Sequence, residues 1–339
     1  MLTRALWLGC LGVSVAAVTV ATFDAAAADE VVGPGSTRVA KWKDDKQGAL
    51  LLTFDDSLPS QIDNAVPELK KRGLVGTFYV NPGGGQWKAR QDVWEKTFPQ
   101  EFPTTGMEYG NHTITHHGAK DQADFDDEIA KCNDVILRLF PGKQPRLISY
   151  ALPGVKKEQW SITPEEHKAV LAKYHLAQRP AYAIAGVGAY TSADRLMALA
   201  DDAIAKADVR CIVFHGVGGN HLSVAMPVFA EFLDKLVAKR DQLWITTGVP
   251  EHKYATERDS ATAKVLQADA QEIRLELTTQ ADPQFYDHPL TLVTQVPAGW
   301  TQCEIVQGTS KVTGQAAGGA VRYHALPNGQ PITIRNGAK

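Results

Sequence analysis

From residue 49 onward, short apolar runs alternate with stretches whose apolar residues recur every three or four positions. Residues 49–54 predict a buried strand, after which Ile62, Val66 and Leu69 recur at helical spacing until Gly73, a stop signal. A second strand is predicted at 75–80. A glycine-rich loop, 81–85, then leads through a Trp- and Pro-containing excursion to Asn111. Phe125, Ile129, Cys132, Ile136 and Leu139 mark one face of a helix that Pro141-Gly142 ends. Strands are expected at 146–150 and 174–177, a helix at about 193–206 before a strand at 209–214, and a helix at about 229–240 before a strand at 243–246. Strands separated by helices imply right-handed βαβ units and a mainly parallel sheet or barrel, with chemistry at the C-terminal strand ends.

Beyond about residue 262 the pattern becomes alternating, with strand-like runs at 273–277, 290–296, 304–307, 321–324 and 332–335 and no convincing helix. The expected division is therefore 1–28 as a leader, 29–260 as the α/β domain, and 261–339 as a small β-sandwich-like accessory domain with a structural or sugar-binding role. The leader follows from Arg4, the apolar run 6–20 and Ala26-Ala27-Ala28 before Asp29, which is the layout of a secretory signal peptide. A membrane anchor would need about 20 apolar residues, and Asp24 interrupts this run. Cys10 lies at the start of that run, a poor site for lipidation. An exported protein, periplasmic or extracellular, with no membrane span in the mature chain is the expectation.

Composition narrows the class. The chain of 339 residues is 44% hydrophobic and 22% charged, enough for a sizeable core. Its formal charge of −3, without a basic run, argues against nucleic acid as a partner. Loss of the leader leaves Cys132, Cys211 and Cys303, whose spacing is not that of a zinc site; a buried structural role is expected of each.

Candidate chemistry falls in three islands, each after a predicted strand. In Thr53-Phe54-Asp55-Asp56-Ser57, two adjacent carboxylates repel unless something holds the charge, and a cation is the usual answer. The alternative is a helix N-cap before Leu58-Pro59. In His112-Thr113-Ile114-Thr115-His116, two imidazoles at i and i+4 on a helical turn would face one ion, although such pairs are often surface residues, and His117 blurs the pattern. Two histidines and one aspartate leave a position for water, as a catalytic zinc site requires. In Val213-Phe214-His215-Gly216, the histidine ends an apolar strand beside glycines, either as a core residue bonded to backbone or as a proton donor facing the metal.

Together, these islands resemble the polysaccharide deacetylases of carbohydrate esterase family 4, the NodB homology family, over about residues 45–255. The resemblance implies an α/β fold, a distorted (β/α) barrel, and metal-dependent hydrolysis of N- or O-acetyl groups on an acetylated polysaccharide or oligosaccharide. By position, Asp55 matches the catalytic base, Asp56, His112 and His116 the metal ligands, and His215 the catalytic acid. The metal is expected to be zinc, with cobalt or nickel as alternatives. Two departures stand out. In Tyr150-Ala151-Leu152-Pro153-Gly154, Ala151 occupies the place of the family's base-holding arginine, although Pro153 and Gly154 fit the segment whose N–H faces the oxyanion. An Asp-Trp motif is not recognisable between Gln178 and Tyr190, and Cys211 and Val213 replace two leucines. Arg179, following a predicted strand, is the expected substitute for the absent arginine. The competing classes are a catalytically weak or inactive carbohydrate-binding protein and a non-haem iron oxygenase, which also uses two histidines and a carboxylate.

Overall fold

The computed structural model describes residues 33–337. The expected leader, residues 1–28 with Cys10, lies outside the described residues. The chain builds strands β1 (Thr37–Val39), β2 (Gly48–Asp55), β3 (Thr77–Val80), β4 (Glu108–Asn111), β5 (Ile148–Tyr150), β6 (Leu176–Gln178), β7 (Tyr182–Ile184), β8 (Val209–Phe214) and β9 (Leu243–Thr246). Helices α1 (Val66–Arg72), α2 (Gly85–Ala89), α3 (Phe98–Thr105), α4 (Gln122–Leu139), α5 (Pro164–Lys173), α6 (Ala193–Ala205), α7 (Met226–Val237) and α8 (Gly248–Asp259) intervene or follow. Strands β10 (Thr262–Ala268), β11 (Glu272–Thr278), β12 (Leu290–Gln295), β13 (Gln302–Gln307), β14 (Ser310–Ala317), β15 (Ala320–Ala325) and β16 (Asn328–Asn336) complete it.

One sheet runs β6-β5-β4-β3-β2-β8-β7, with every pairing parallel. All eight residues of β2 are buried, as a strand covered on both faces requires. β2 also splits its pairing: Gly48 to Leu51 bond β9, whereas Thr53 to Asp55 bond β3. The hydrogen-bonded path ends at β6 and β7, so the barrel is distorted and open between them. Alternation along β2 sends Phe54 outward, where it stacks on Phe78 at 4.7 Å and Phe214 at 5.3 Å and meets Phe229 edge-on, while Thr53 and Asp55 face inward. Helix ends follow local chemistry. Gly73 closes α1 at φ 58°, Asp121 accepts from the Asp124 N–H to begin α4, and Thr163 with Glu166 forms a capping box for α5.

The remaining strands form one antiparallel path, β1-β12-β15-β14-β13-β16-β11-β10. The path is continuous because β14 pairs with β13 over most of its length and with β15 at Ala316 and Ala317. Its first strand, β1, precedes the parallel sheet in sequence. Inward residues such as Ile273, Leu275, Leu292, Ile305, Tyr323 and Ile334 share a core with Trp42, Ala49, Trp244 and Tyr254, which joins the two sheets. Cys132, Cys211 and Cys303 are free and buried among the described residues, and burial pushes the Cys211 thiol up to about 12.

Candidate active site

Five strands of the parallel sheet end toward the same cavity, and the residue that follows each last strand position bears on the site. These residues are Asp56 after β2, His112 after β4, Ala151 after β5, Arg179 after β6 and His215 after β8. Asp55 is the last residue of β2 itself.

Two neighbouring aspartates can enter one site only if the chain turns between them, and here it does. Asp56 and Ser57 adopt left-handed conformations, with φ of 77° and 55°. The alternative that this segment caps a helix fails. The turn continues into residues 61–65 without a side-chain cap, and Ser57 Oγ instead accepts from the Asn81 N–H at 3.2 Å.

The histidine segment corrects the expected geometry. His112 and His116 do not lie on a helical turn: residues 112–118 form an irregular loop with left-handed Thr113 (φ 61°) and His116 (φ 63°). That loop nevertheless brings the rings to 4.9 Å between centroids. His116 Nε2 lies 3.2 Å and His112 Nε2 3.5 Å from the same oxygen, Asp56 Oδ1. His112 Nδ1 lies 2.8 Å from the carbonyl oxygen of Ala151; donation there fixes the tautomer that leaves Nε2 as a lone pair facing the site.

Whether these residues suit a metal is answered by Asp56 Oδ1. It is buried and has no hydrogen-bond partner among the described residues, although it sits between the two imidazole nitrogens. One donor atom from each of Asp56, His112 and His116 lies within 4.8 Å of the others. A buried, unpaired carboxylate oxygen converging with two imidazole nitrogens fits a divalent cation with nitrogen and oxygen preference. Burial alone would raise the Asp56 carboxyl, but the two facing imidazoles outweigh it and hold it far below the ordinary carboxylate range. Burial likewise lowers His116, yet Asp56 more than offsets it and the net shift is upward.

Asp55 lies beside this cluster, its Oδ2 3.8 Å from His112 Nε2. Arg179 Nη1 reaches its two oxygens at 2.7 and 3.0 Å, and both side chains are almost wholly buried. The guanidinium is flanked by the Tyr79 ring at 4.9 Å and the Tyr182 ring at 4.2 Å. The arginine absent at Ala151 is thus present in space from the next strand, β6.

His215 Nε2 faces Asp56 Oδ2 at 3.9 Å. Its Nδ1 is buried without a hydrogen-bond partner among the described residues, so the ring is not held by backbone as a core histidine would be. Burial pushes its pKa down, against the opposing charges of Asp55 and Asp56. A cavity of about 200 Å³ is lined by Asp55, Asp56, His116, Gly154, Arg179 and His215, with the exposed Leu152, Tyr182 and Leu222 also on its wall. A Cβ at Gly154 would meet nothing within 4 Å. Pro153 is buried and does not line this cavity.

Several supporting residues gave no recognisable signal in the sequence. Gln61 Nε2 donates to the carbonyls of Asp55 (2.5 Å) and His215 (3.0 Å), tying the ends of β2 and β8 together. Glu128 of α4 receives both the N–H and the hydroxyl of Thr115 at 2.9 Å and so braces the histidine loop. Asn111 Oδ1 accepts from the Thr113 N–H, and its amide is in turn held by Asn133. His117 turns away from the cluster toward Asp124 and Glu128.

Residues 43–164 match the family model described as polysaccharide deacetylase, so the resemblance read from Asp55, Asp56, His112 and His116 is borne out over that stretch. Arg179 and His215 lie beyond it. A curated gellan lyase from a Bacillus species is 22% identical over 319 residues, which are 80% of this chain and 12% of that relative's length. A family 4 carbohydrate esterase from Streptomyces lividans, solved with acetate, is 21% identical, with 59% of this chain and 92% of that one covered and a TM-score of 0.41. A Streptococcus mutans esterase of the same family is 16% identical, with 60% and 85% covered and a TM-score of 0.44. A pseudoenzyme of this family from Bacillus anthracis is also similar, at 16% identity, 59% and 63% coverage and a TM-score of 0.40.

Proposed function

We propose that the chain hydrolyses acetyl groups, N- or O-linked, from an acetylated polysaccharide or oligosaccharide and releases acetate. The observation that carries this reading is the convergence of the unpaired Asp56 Oδ1 with His112 and His116 Nε2, directly beside a second carboxylate on Asp55. Asp56, His112 and His116 would hold a divalent metal, zinc by its donor set, with cobalt or nickel as alternatives. When bound, the metal supplies Lewis-acid activation of water and of the acetyl carbonyl.

The chain's own groups divide the remaining work. Asp55, oriented by Arg179, takes the proton of the attacking water. The Gly154 N–H, at the open wall of the cavity, donates to the oxyanion as the carbonyl becomes tetrahedral. His215, across the cavity, protonates the departing sugar oxygen or nitrogen, so that acetate and a free hydroxyl or amine result. The lowered pKa of His215 leaves less of it protonated near neutrality and makes it a readier donor when it is.

A second reading, a carbohydrate-binding protein of little activity, draws on His215 Nδ1, which no group among the described residues bonds and so orients. An acetate-release assay on acetylated xylan, chitooligosaccharide and peptidoglycan, with and without chelator, separates the two. Release that chelator abolishes supports the hydrolase, and release from none of the three rejects it.

A further inference from the structure

A second cavity lies away from the candidate active site and shares no lining residue with it. It measures about 430 Å³ and lies where α8, the segment 278–287 and the turn 326–329 meet. Its walls are mostly apolar, from Ala281, Pro283, Leu326 and Pro327, but polar groups are set among them.

The cleft is preformed, because every wall is anchored. Phe285 stacks on His175 at 4.0 Å, Tyr286 bonds His252 at 3.1 Å, and Asp287 pairs with Lys253 at 2.5 Å and Lys143 at 3.1 Å. The Thr279 hydroxyl bonds the backbone carbonyl of Glu257 and the Ser260 hydroxyl. Within this frame Glu257 is fully buried, yet its two carboxylate oxygens share one donor, the His288 N–H, at 3.1 Å to each. With no accessible surface, that carboxylate backs the cleft wall, and the accessible acceptor there is the Asp287 carboxylate. Asn328 accepts from the Gln330 N–H through Oδ1, which leaves its amide as the complementary donor.

We propose that this cleft is a second glycan-binding site, one that takes a neutral pyranose unit. The class follows from the lining. Apolar walls suit the C–H faces of a sugar ring, whereas the accessible Asp287 carboxylate and Asn328 amide suit its hydroxyls. Both lysines at the rim are committed to Asp287, and the buried group is itself a carboxylate, so uronic acids and phosphates are disfavoured. Burial pushes Glu257 up to about 7, so the group behind the wall does not favour a cation. That the sugar belongs to the polymer being deacetylated rests on the function proposed above. In that case the cleft anchors the chain while the active site works on another unit of it, and raises local substrate concentration.

The test is titration calorimetry of the full chain with xylohexaose, cellohexaose and chitohexaose. Ala281→Arg and Leu326→Arg, both at accessible positions on the wall, should each weaken binding by about tenfold or more. Neither should alter turnover of a small activated acetate ester, and Leu152→Arg, at the active-site wall, should leave hexasaccharide affinity within about threefold. Affinity unchanged in both cleft variants, or lost in Leu152→Arg alone, overturns the proposal. So does the absence of any hexasaccharide binding to the unaltered chain. Cleft-dependent binding by a chain that releases no acetate upholds this site and rejects only the hydrolase reading.

Discussion

Removing the Arg179 guanidinium tests the arrangement at its most exposed assumption, that a residue from β6 does the work absent from β5. At 2.7 Å, the gross attraction between Arg179 and Asp55 is about 6 kcal/mol for an effective dielectric of about 20. Both side chains are almost fully buried, so desolvation offsets much of that in the intact pair, but deleting one partner strands the other charge. Arg179→Met should therefore cost about 3–5 kcal/mol of stability. Turnover should fall by roughly 10²- to 10³-fold, because the base loses its fixed orientation. Metal content should stay constant, since no contact links Arg179 to Asp56, His112 or His116. Urea unfolding, acetate release and elemental analysis give the three readouts. Adding Asp55→Asn should recover part of the lost stability, because the stranded charge is then gone. If Arg179→Met loses less than about 1 kcal/mol, or if the two substitutions add without coupling, the ion pair does not organise the base.

The remaining expectations concern the neighbouring groups. Asp55→Asn should retain metal and lose most activity, whereas Asp56→Asn should lose metal affinity and regain some activity at high metal concentration; the reverse pattern exchanges their roles. His215→Ala should leave metal content unchanged and slow turnover by roughly 10²- to 10⁴-fold, less so on an activated ester, and equal losses on both substrates would point to a structural role. For Glu257, burial raises the folded carboxyl from 4.5 to about 7, so the folded state binds the extra proton. Its contribution to stability is therefore present below about pH 4.5 and lost as pH rises toward 7. Glu257→Gln, which keeps an acceptor for His288, should gain up to roughly 3 kcal/mol over the unaltered chain at pH 8 relative to pH 4; parallel stability-versus-pH curves would refute this.

The parallel core was legible because its strands and most of its helices bury apolar residues at regular spacing, as in β2 and α4. What escaped prediction buries polar residues or little at all. Helix α8 turns Glu251, Tyr254 and Glu257 inward, so its buried face carries no apolar stripe. Strand β10 is exposed along nearly all its length, and α3 carries Pro103 within it. The histidine loop was misread as a helical turn because spacing at i and i+4 is ambiguous. The left-handed backbone at Thr113 and His116, and the bracing by Glu128 from another element, depend on contacts distant in sequence. Gln61 was hidden for the same reason: its two acceptors are 6 and 154 positions away.

The displaced arginine follows from the same strand-end logic. In a parallel sheet, neighbouring strands end side by side, and the first residues beyond them share one cavity. β5 pairs with β6 through Tyr150 and Gln178, so Ala151 and Arg179 occupy equivalent positions one strand apart. The backbone repeats this equivalence. Ala151 N donates to Asn111 O on β4, and Arg179 N donates to Tyr150 O on β5, each prolonging the ladder by one bond. A guanidinium on a long side chain can cover the extra strand spacing of roughly 4.8 Å, whereas a short side chain could not. Tyr79 on one side and Tyr182 on the other then hold its path, which a β5 arginine would not need to follow. The motif is broken along the chain, yet Asp55 still meets a guanidinium in the cavity, supplied by the neighbouring strand end.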